Sequence, residues 1–385
     1  MKLPPLWKVA RELKRPFTQL PALPGRMGSL FFGARYYDMV LARQIRTTAG
    51  RLPCGTRVAI YLIYPQGGLL PSHRLALDYM RENGYAPLVV SNLPLGGEDM
   101  AYLQDNSWRV IERPNVGYDF GGYRDGFLSI SDAVYGLERV VFLNDSSWFP
   151  LPGSRNWLKE AEGLGVDYAA AATSFGIPRV KPDQYQLVQW DYDPGLRNFH
   201  YGSYAISVGA GMLGDARYER YWRSYPLTKE KNKVVRRGEI GMTRFALKHG
   251  FSHGATYDIR SLPGVLQNCS DAEINAYARS LNFLDDFPSK ALMDRVLPGL
   301  DAERSRQDRE TLISLMLATA ARIGVSYVLP KLLYDKHGFP FLKKSLVSVN
   351  KENSDRITEF AEALDGPDGA VIREEIAQIR QRKGY

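Results

Sequence analysis

The segment RVVFLNDSSWFP, residues 139–150, sets the reading of everything around it. Val140 to Leu143 form a four-residue apolar run that passes directly into Asn144, Asp145 and Ser146, and Pro150 ends it. A short apolar run bounded by a turn is what a buried parallel strand looks like where it opens into a loop. An aspartate flanked by small polar residues is thereby delivered to a strand end.

The flanking sequence alternates in the same sense. RVAIYLIY (57–64) reads as a strand and PSHRLALDYMRENG (71–84) as a helix stopped by Asn83-Gly84. APLVVSN (86–92) is the next strand, followed by a helix near 98–105, the strand WRVIER (108–113) and a helix over 120–130. After 139–150, a helix over WLKEAEG and a strand over DYAAAATS (167–174) continue the pattern. Strand–helix alternation of this kind predicts an α/β fold, a mostly parallel sheet with helices on both faces. Aromatic alternation in 183–213 predicts antiparallel or edge strands, followed by a helix over 239–250 and a strand near 255–259. From about 270 onward the pattern is helical. The expected organisation is a basic N-terminal extension (1–52), an α/β domain (53–265) and a helical C-terminal region (266–385).

Composition narrows the class. At 385 residues, 44% hydrophobic and 24% charged, the chain is globular with ample core. Cys54 and Cys269 make no disulfide framework or paired metal spacing, so a reducing, cytoplasmic setting is expected. The net charge of +8 resides in residues 1–51, which hold ten Lys/Arg against Glu12 and Asp38, leaving the body neutral. Within that extension LWKVARELKR places apolar and basic residues on different helix faces, suited to an anionic membrane surface or to packing on the body. Nucleic acid is not an expected partner, because no basic–aromatic array is present. No secretory signal is evident, and the apolar stretch 311–330 is interrupted by Arg322 and Gly324, so it reads as a buried or interfacial helix.

On the open-sheet rule that ligands bind beyond the carboxyl ends of strands, the 64–69 loop, Asn115–Asp119 and Asn144–Ser146 share one rim. In RPNVGYDFGGYRDG (113–126), Asn115, Gly117 and Asp119 form a turn ahead of a helix whose start favours a diphosphate. Gly121-Gly122 would permit close approach of a ligand, although the same residues also suit a simple capped helix start. Neither a GxGxxG nor a P-loop fingerprint occurs. Glu239 opens a helix, where a carboxylate either compensates the dipole or serves as a general base at a cleft rim.

Taken in order, RPNVGYDFGGYRDG, VVFLNDSSWFP, HYGSYAISV, GEIGMTRFALKHGF and GFPFLKKSLV (338–347) resemble the rhamnan synthesis protein F family of bacterial polysaccharide glycosyltransferases. The resemblance implies a GT-A-like nucleotide-diphospho-sugar transferase core. It implies that Asn144-Asp145-Ser146 stands where such folds carry an Asp-X-Asp motif, with Asp145 as a metal ligand and Asp119 as a second carboxylate if the loops converge. A divalent Mg2+ or Mn2+ is then expected only if one or two carboxylates suffice. It implies Glu239 as the base that deprotonates the acceptor, His200 on the acceptor side and Tyr64 near the nucleotide base. The implied reaction transfers rhamnose from a dTDP donor to a lipid-linked polysaccharide, at the inner face of the cell membrane. A non-catalytic carbohydrate-binding or assembly subunit, and a different nucleotide-using enzyme such as a methyltransferase, are the alternatives.

Overall fold

The computed structural model describes residues 36–284, 291 and 306–385. The basic amphipathic segment near the N-terminus, with its expected membrane role, lies outside the described residues. Twelve strands are formed among the described residues: β1 (Arg46–Ala49), β2 (Arg57–Ile63), β3 (Ala86–Ser91), β4 (Arg109–Glu112), β5 (Arg139–Asn144), β6 (Ser147–Trp148), β7 (Tyr168–Ala170), β8 (Thr173–Ser174), β9 (His200–Tyr201), β10 (Ala205–Gly209), β11 (His253–Ala255) and β12 (Leu342–Lys343). Eight of them make one sheet in the order β1-β4-β3-β2-β5-β10-β7-β11. Pairing is parallel from β4 through β3 and β2 to β5 and between β7 and β11, and antiparallel at β1, and at β10 on both of its sides.

Two expectations shift. Of the strands read in 183–213, β9 and β10 form and both pair antiparallel, β10 inside the main sheet between β5 and β7, whereas 183–199 form no strand and begin as a 3-10 helix over Pro182–Leu187. The last strand falls at His253–Ala255, two residues early, and its hydrogen bonding continues through Thr256 and Tyr257.

The period-two alternation of β2 and β5 feeds two cores. Ala59, Tyr61, Ile63, Val141 and Leu143 face α1 (Pro71–Glu82) and part of the C-terminal helices. Val58, Ile60, Leu62, Val140 and Phe142 face the opposite layer. That layer holds α3 (Tyr118–Leu128), reached after α2 (Gly97–Asn106), and, beyond α4 (Trp157–Gly163), α5 (Ala216–Arg223). Here Trp222 stacks on Phe142 and Phe127 at 5.5 and 5.7 Å. Each such fully buried side chain contributes about 1.5–3 kcal/mol.

Gly122 is what lets α3 lie on β2: a Cβ there would stand 2.4 Å from Leu62 Cδ1. Gly121 likewise faces the carbonyl of Val116, 2.1 Å from where its Cβ would be. The glycine pair therefore serves helix–sheet packing and the preceding turn, which corrects its reading as a place of ligand approach.

The chain continues through α6 (Lys231–Arg237), α7 (Glu239–Lys248), α8 (Leu262–Asn268), α9 (Asp271–Arg279), α10 (Arg306–Ile323), α11 (Pro330–His337), α12 (Lys351–Glu362) and α13 (Gly366–Lys383). Leu312 and Met316 of α10 and Leu332 of α11 enter the first core. The apolar 311–330 stretch is thus a buried packing element. A third core joins Trp148 and Leu342 to Ile357, Phe360 and Ile376 of α12 and α13. No helix among the described residues is long and apolar enough to cross a membrane.

Candidate active site

Beyond the carboxyl end of β5 the structure opens a cavity of about 350 Å³. β5 ends at Asn144, and Asp145 and Ser146 form the turn that follows it. Asn144 and Ser146 line the cavity, whereas Asp145, between them, does not. Asp145 is fastened elsewhere: its Oδ2 accepts the backbone N–H of Tyr64 at 2.7 Å and lies 3.3 Å from His73 Nε2. Burial pushes the Asp145 carboxyl up, but the hydrogen bond and charge of His73 and the Tyr64 amide outweigh it and hold it below the usual carboxylate range.

Two helix starts supply the acids of the cavity. The turn before α3 needs Gly117 at φ 89°, in the left-handed region, where a Cβ would also meet Leu227 at 2.6 Å. This turn presents Asp119 in the first helical turn, where its Oδ2 accepts from Asn144 Nδ2 at 3.1 Å. Glu239 opens α7 in the same way. Its Oε1 accepts from Ser203 Oγ at 2.8 Å, and its Oε2 lies 3.3 Å from His200 Nε2. The other ring nitrogen, Nδ1, is 2.8 Å from the carbonyl oxygen of Asn198. A carbonyl only accepts, so Nδ1 carries a proton.

The two acids titrate in opposite directions. Burial, then the neighbouring Glu239 charge, pushes Asp119 up to about 6, against the pull of Lys343. Burial also pushes Glu239 up, but His200, Ser203 and Lys343 together hold it below its ordinary value. Glu239 is thus a carboxylate at neutral pH.

A second cavity, of about 570 Å³, is lined by Tyr64, Asn92, Asn115, Gly117, Tyr118, Asp119 and Lys229. It shares Tyr118 and Asp119 with the first. The residues expected at the site therefore divide between two cavities that meet at Asp119, with Asn144, Ser146, His200 and Glu239 in one and Tyr64, Asn115 and Gly117 in the other.

Sequence reading passed over several members of the first cavity. Its far wall comes from Gly324, Ser326, Tyr327 and Lys343, in the C-terminal third of the chain. Thr173, also lining it, has a buried hydroxyl with no hydrogen-bond partner. The one available signal was a lysine inside the apolar stretch 339–347: Lys343 is only 4% exposed.

The donor set does not suit a divalent cation. Hard cations take six or more oxygen ligands, carboxylates prominent among them. Among the described residues no three His, Cys, Asp or Glu side chains cluster to hold a metal. Asp145 is committed to Tyr64 and His73, Glu239 to His200 and Ser203, and the ammonium of Lys343 shares the cavity with Asp119.

Comparison with known proteins locates this arrangement. Residues 88–277 match the rhamnan synthesis protein F family model. That span carries Asp119, Asn144, Ser146, His200 and Glu239, and stops short of Lys343. The uncharacterized protein y4gN of Sinorhizobium fredii is 31% identical over 253 residues, which cover 65% of this chain and 61% of that protein. The chain thus matches less than two thirds of that relative's length. Among solved structures, the mannosyltransferase PcManGT of Pyrobaculum calidifontis, in complex with GDP-Man and Mn2+, is 11% identical over 95% of this chain and 93% of its own, with a TM-score of 0.30. The mannosyltransferase Ktr4p of S. cerevisiae is 12% identical over 46% of this chain and 62% of its own, with a TM-score of 0.25.

Proposed function

We propose that this chain is a glycosyltransferase that moves a sugar from a nucleoside-diphosphate donor to a hydroxyl acceptor. One observation carries the reading: Asp119, Asn144, Ser146, His200 and Glu239, far apart in sequence, line one cavity beyond the end of β5. The rhamnan synthesis protein F match over the same residues supports it. Residues 53–265 form the catalytic unit on this view, and the region after 266 supplies the far wall.

The two joined cavities suit a two-part donor. The nucleoside occupies the cleft of Tyr64, Asn115 and Gly117, and the diphosphate and sugar occupy the cavity of Asn144, Ser146 and Glu239, with Asp119 at the junction. The acceptor oxygen attacks the anomeric carbon, the bond to the diphosphate oxygen breaks with its electron pair, and Glu239 receives the acceptor's proton. His200 and Ser203 orient that carboxylate. Rhamnose from a dTDP donor, and a lipid-linked polysaccharide acceptor met at the membrane through the basic N-terminus, are the specific forms suggested by the sequence motifs.

The test is a melting-shift series with dTDP-, UDP- and GDP-sugars on wild type and Asp119→Asn, alongside a nucleoside-diphosphate release assay. A native-state ligand raises the melting temperature according to its concentration over Kd. One donor that shifts wild type, loses its effect in the variant and is turned over supports the reading. Absence of any shift and any release sinks it. Polysaccharide binding without turnover would instead favour a non-catalytic binding subunit, an alternative encouraged by the strand-end motif placing no carboxylate in the cavity.

A further inference from the structure

Lys343 is buried and, among the described residues, lies within 4 Å of no carboxylate. Its ammonium sits 3.4 Å over the ring of Tyr204 and 5.6 Å from that of Tyr327. Its one hydrogen-bond acceptor among the described residues is Ser146 Oγ, at 3.4 Å. An ammonium has three protons to donate, and a charge removed from water without a close counter-ion is costly. A cation–π contact offsets that cost in part. Lys343 lines the cavity together with Asn144, Ser146 and Glu239.

The lysine is held there by backbone. β12 pairs with β6 so that Lys343 lies opposite Ser147, and the Lys344 amide donates to Ser146 O at 3.0 Å. The next side chain, Lys344, alternates to the other face and bonds Ser72 and Glu375. Of two consecutive lysines, one is consumed by structure and the other has no paired anion among the described residues.

We infer that Lys343 is the resident cation of the site, binding the donor's diphosphate beside Asn144 and Ser146 in the place a divalent metal would otherwise take. The inference rests on the glycosyl-transfer reading above. When the anomeric carbon–oxygen bond breaks, the electron pair passes to the diphosphate, and the ammonium meets that charge through hydrogen bonds while keeping its own proton.

The experiment measures calorimetric binding of nucleoside diphosphates and their sugars to the full chain, in excess EDTA and then with Mn2+ or Mg2+. Wild type is expected to bind equally well under both conditions. Lys343→Met, close in volume, is expected to melt cooperatively at or above the wild-type temperature because it removes an unpaired buried charge. It should bind the diphosphate roughly tenfold to a hundredfold more weakly, the scale of one charge-assisted hydrogen bond. Lys343→Arg should retain part of the affinity. Binding by wild type only when metal is present, or undiminished binding by Lys343→Met, overturns the assignment and leaves glycosyl transfer standing. Failure of wild type to bind any nucleotide under either condition removes the transferase reading itself.

Discussion

On the proposed reading Glu239 and Lys343 divide the chemistry of the cavity between a base and a cation, and their substitutions should separate. Glu239→Gln keeps the Ser203 contact and the shape but cannot take a proton. Turnover should fall by about 10²–10⁴, the range for loss of a general base, while donor Kd changes little; pre-steady-state release assays beside calorimetry resolve the two. Lys343 gives a pH signature. Burial pulls its ammonium down to about 7, with Asp119 and Glu239 opposing, and the facing hydroxyls of Tyr204 and Tyr327 are held neutral by burial. Diphosphate affinity should therefore decline as pH rises above about 7, and Lys343→Arg, whose guanidinium stays charged, should abolish that decline. Stability moves the other way. The unfolded lysine binds its proton below its ordinary 10.5 and the folded one only below about 7, so this group makes the protein more stable as pH rises between them. Lys343→Met should flatten that slope in chemical denaturation.

At the scale of the element, α3 depends on its closeness to β2. Gly122→Val drives a branched side chain into Leu62, and overpacking of this kind costs about 1–3 kcal/mol; the denaturation midpoint should fall accordingly. The elements most plainly written in the sequence were those whose pattern is local. β2, β3 and β5 are apolar between their end residues because helices cover both faces, and α1 ends where Gly84 turns at φ 76°. Less was legible where long-range packing decides. α5 and α6 were not read at all, since aromatic residues such as Tyr218 and Trp222 suit strands as well as helices until they meet Phe142. β1 reads as polar because one edge of the sheet is all it joins. The site divided in the same way. Asn144, Asp119 and Glu239 announce themselves at a strand end and two helix starts, but the direction of each side chain does not. Asp145 drew attention as the only acid of its motif, yet in the turn after β5 its carboxylate goes to the Tyr64 amide and lies beside His73. Lys343 was passed over because Ser146 and Tyr204, the partners that give it meaning, are separated from it by well over a hundred residues.

Across the whole molecule, Glu375 of α13 clamps distant parts together. Its carboxylate accepts from the Ser72 amide, the Ser72 hydroxyl and Trp148 Nε1, each at 2.8 Å, and pairs with Lys344 at 3.4 Å. Glu375→Ala strands Lys344 and three donors, and breaking a buried pair costs about 3–5 kcal/mol, which equilibrium unfolding should show directly. Burial raises this carboxyl, but Lys344, Ser72 and Trp148 together leave it below its ordinary value. The stability it contributes is therefore complete above the usual carboxylate range and fades as pH falls through the lowered value, a slope that Glu375→Gln should remove.

The placing of β12 also has a bearing on synthesis. The ribosome makes Asp119, Asn144, His200 and Glu239 first, and Lys343 emerges 104 residues after Glu239. On the glycosyl-transfer reading proposed above, a nascent chain that has folded its sheet would hold the base and the acids of the cavity but neither its far wall nor its cation. Such an intermediate would lack the group that grips the diphosphate, so activated sugar would not be spent on water while the rest of the polypeptide is still being translated.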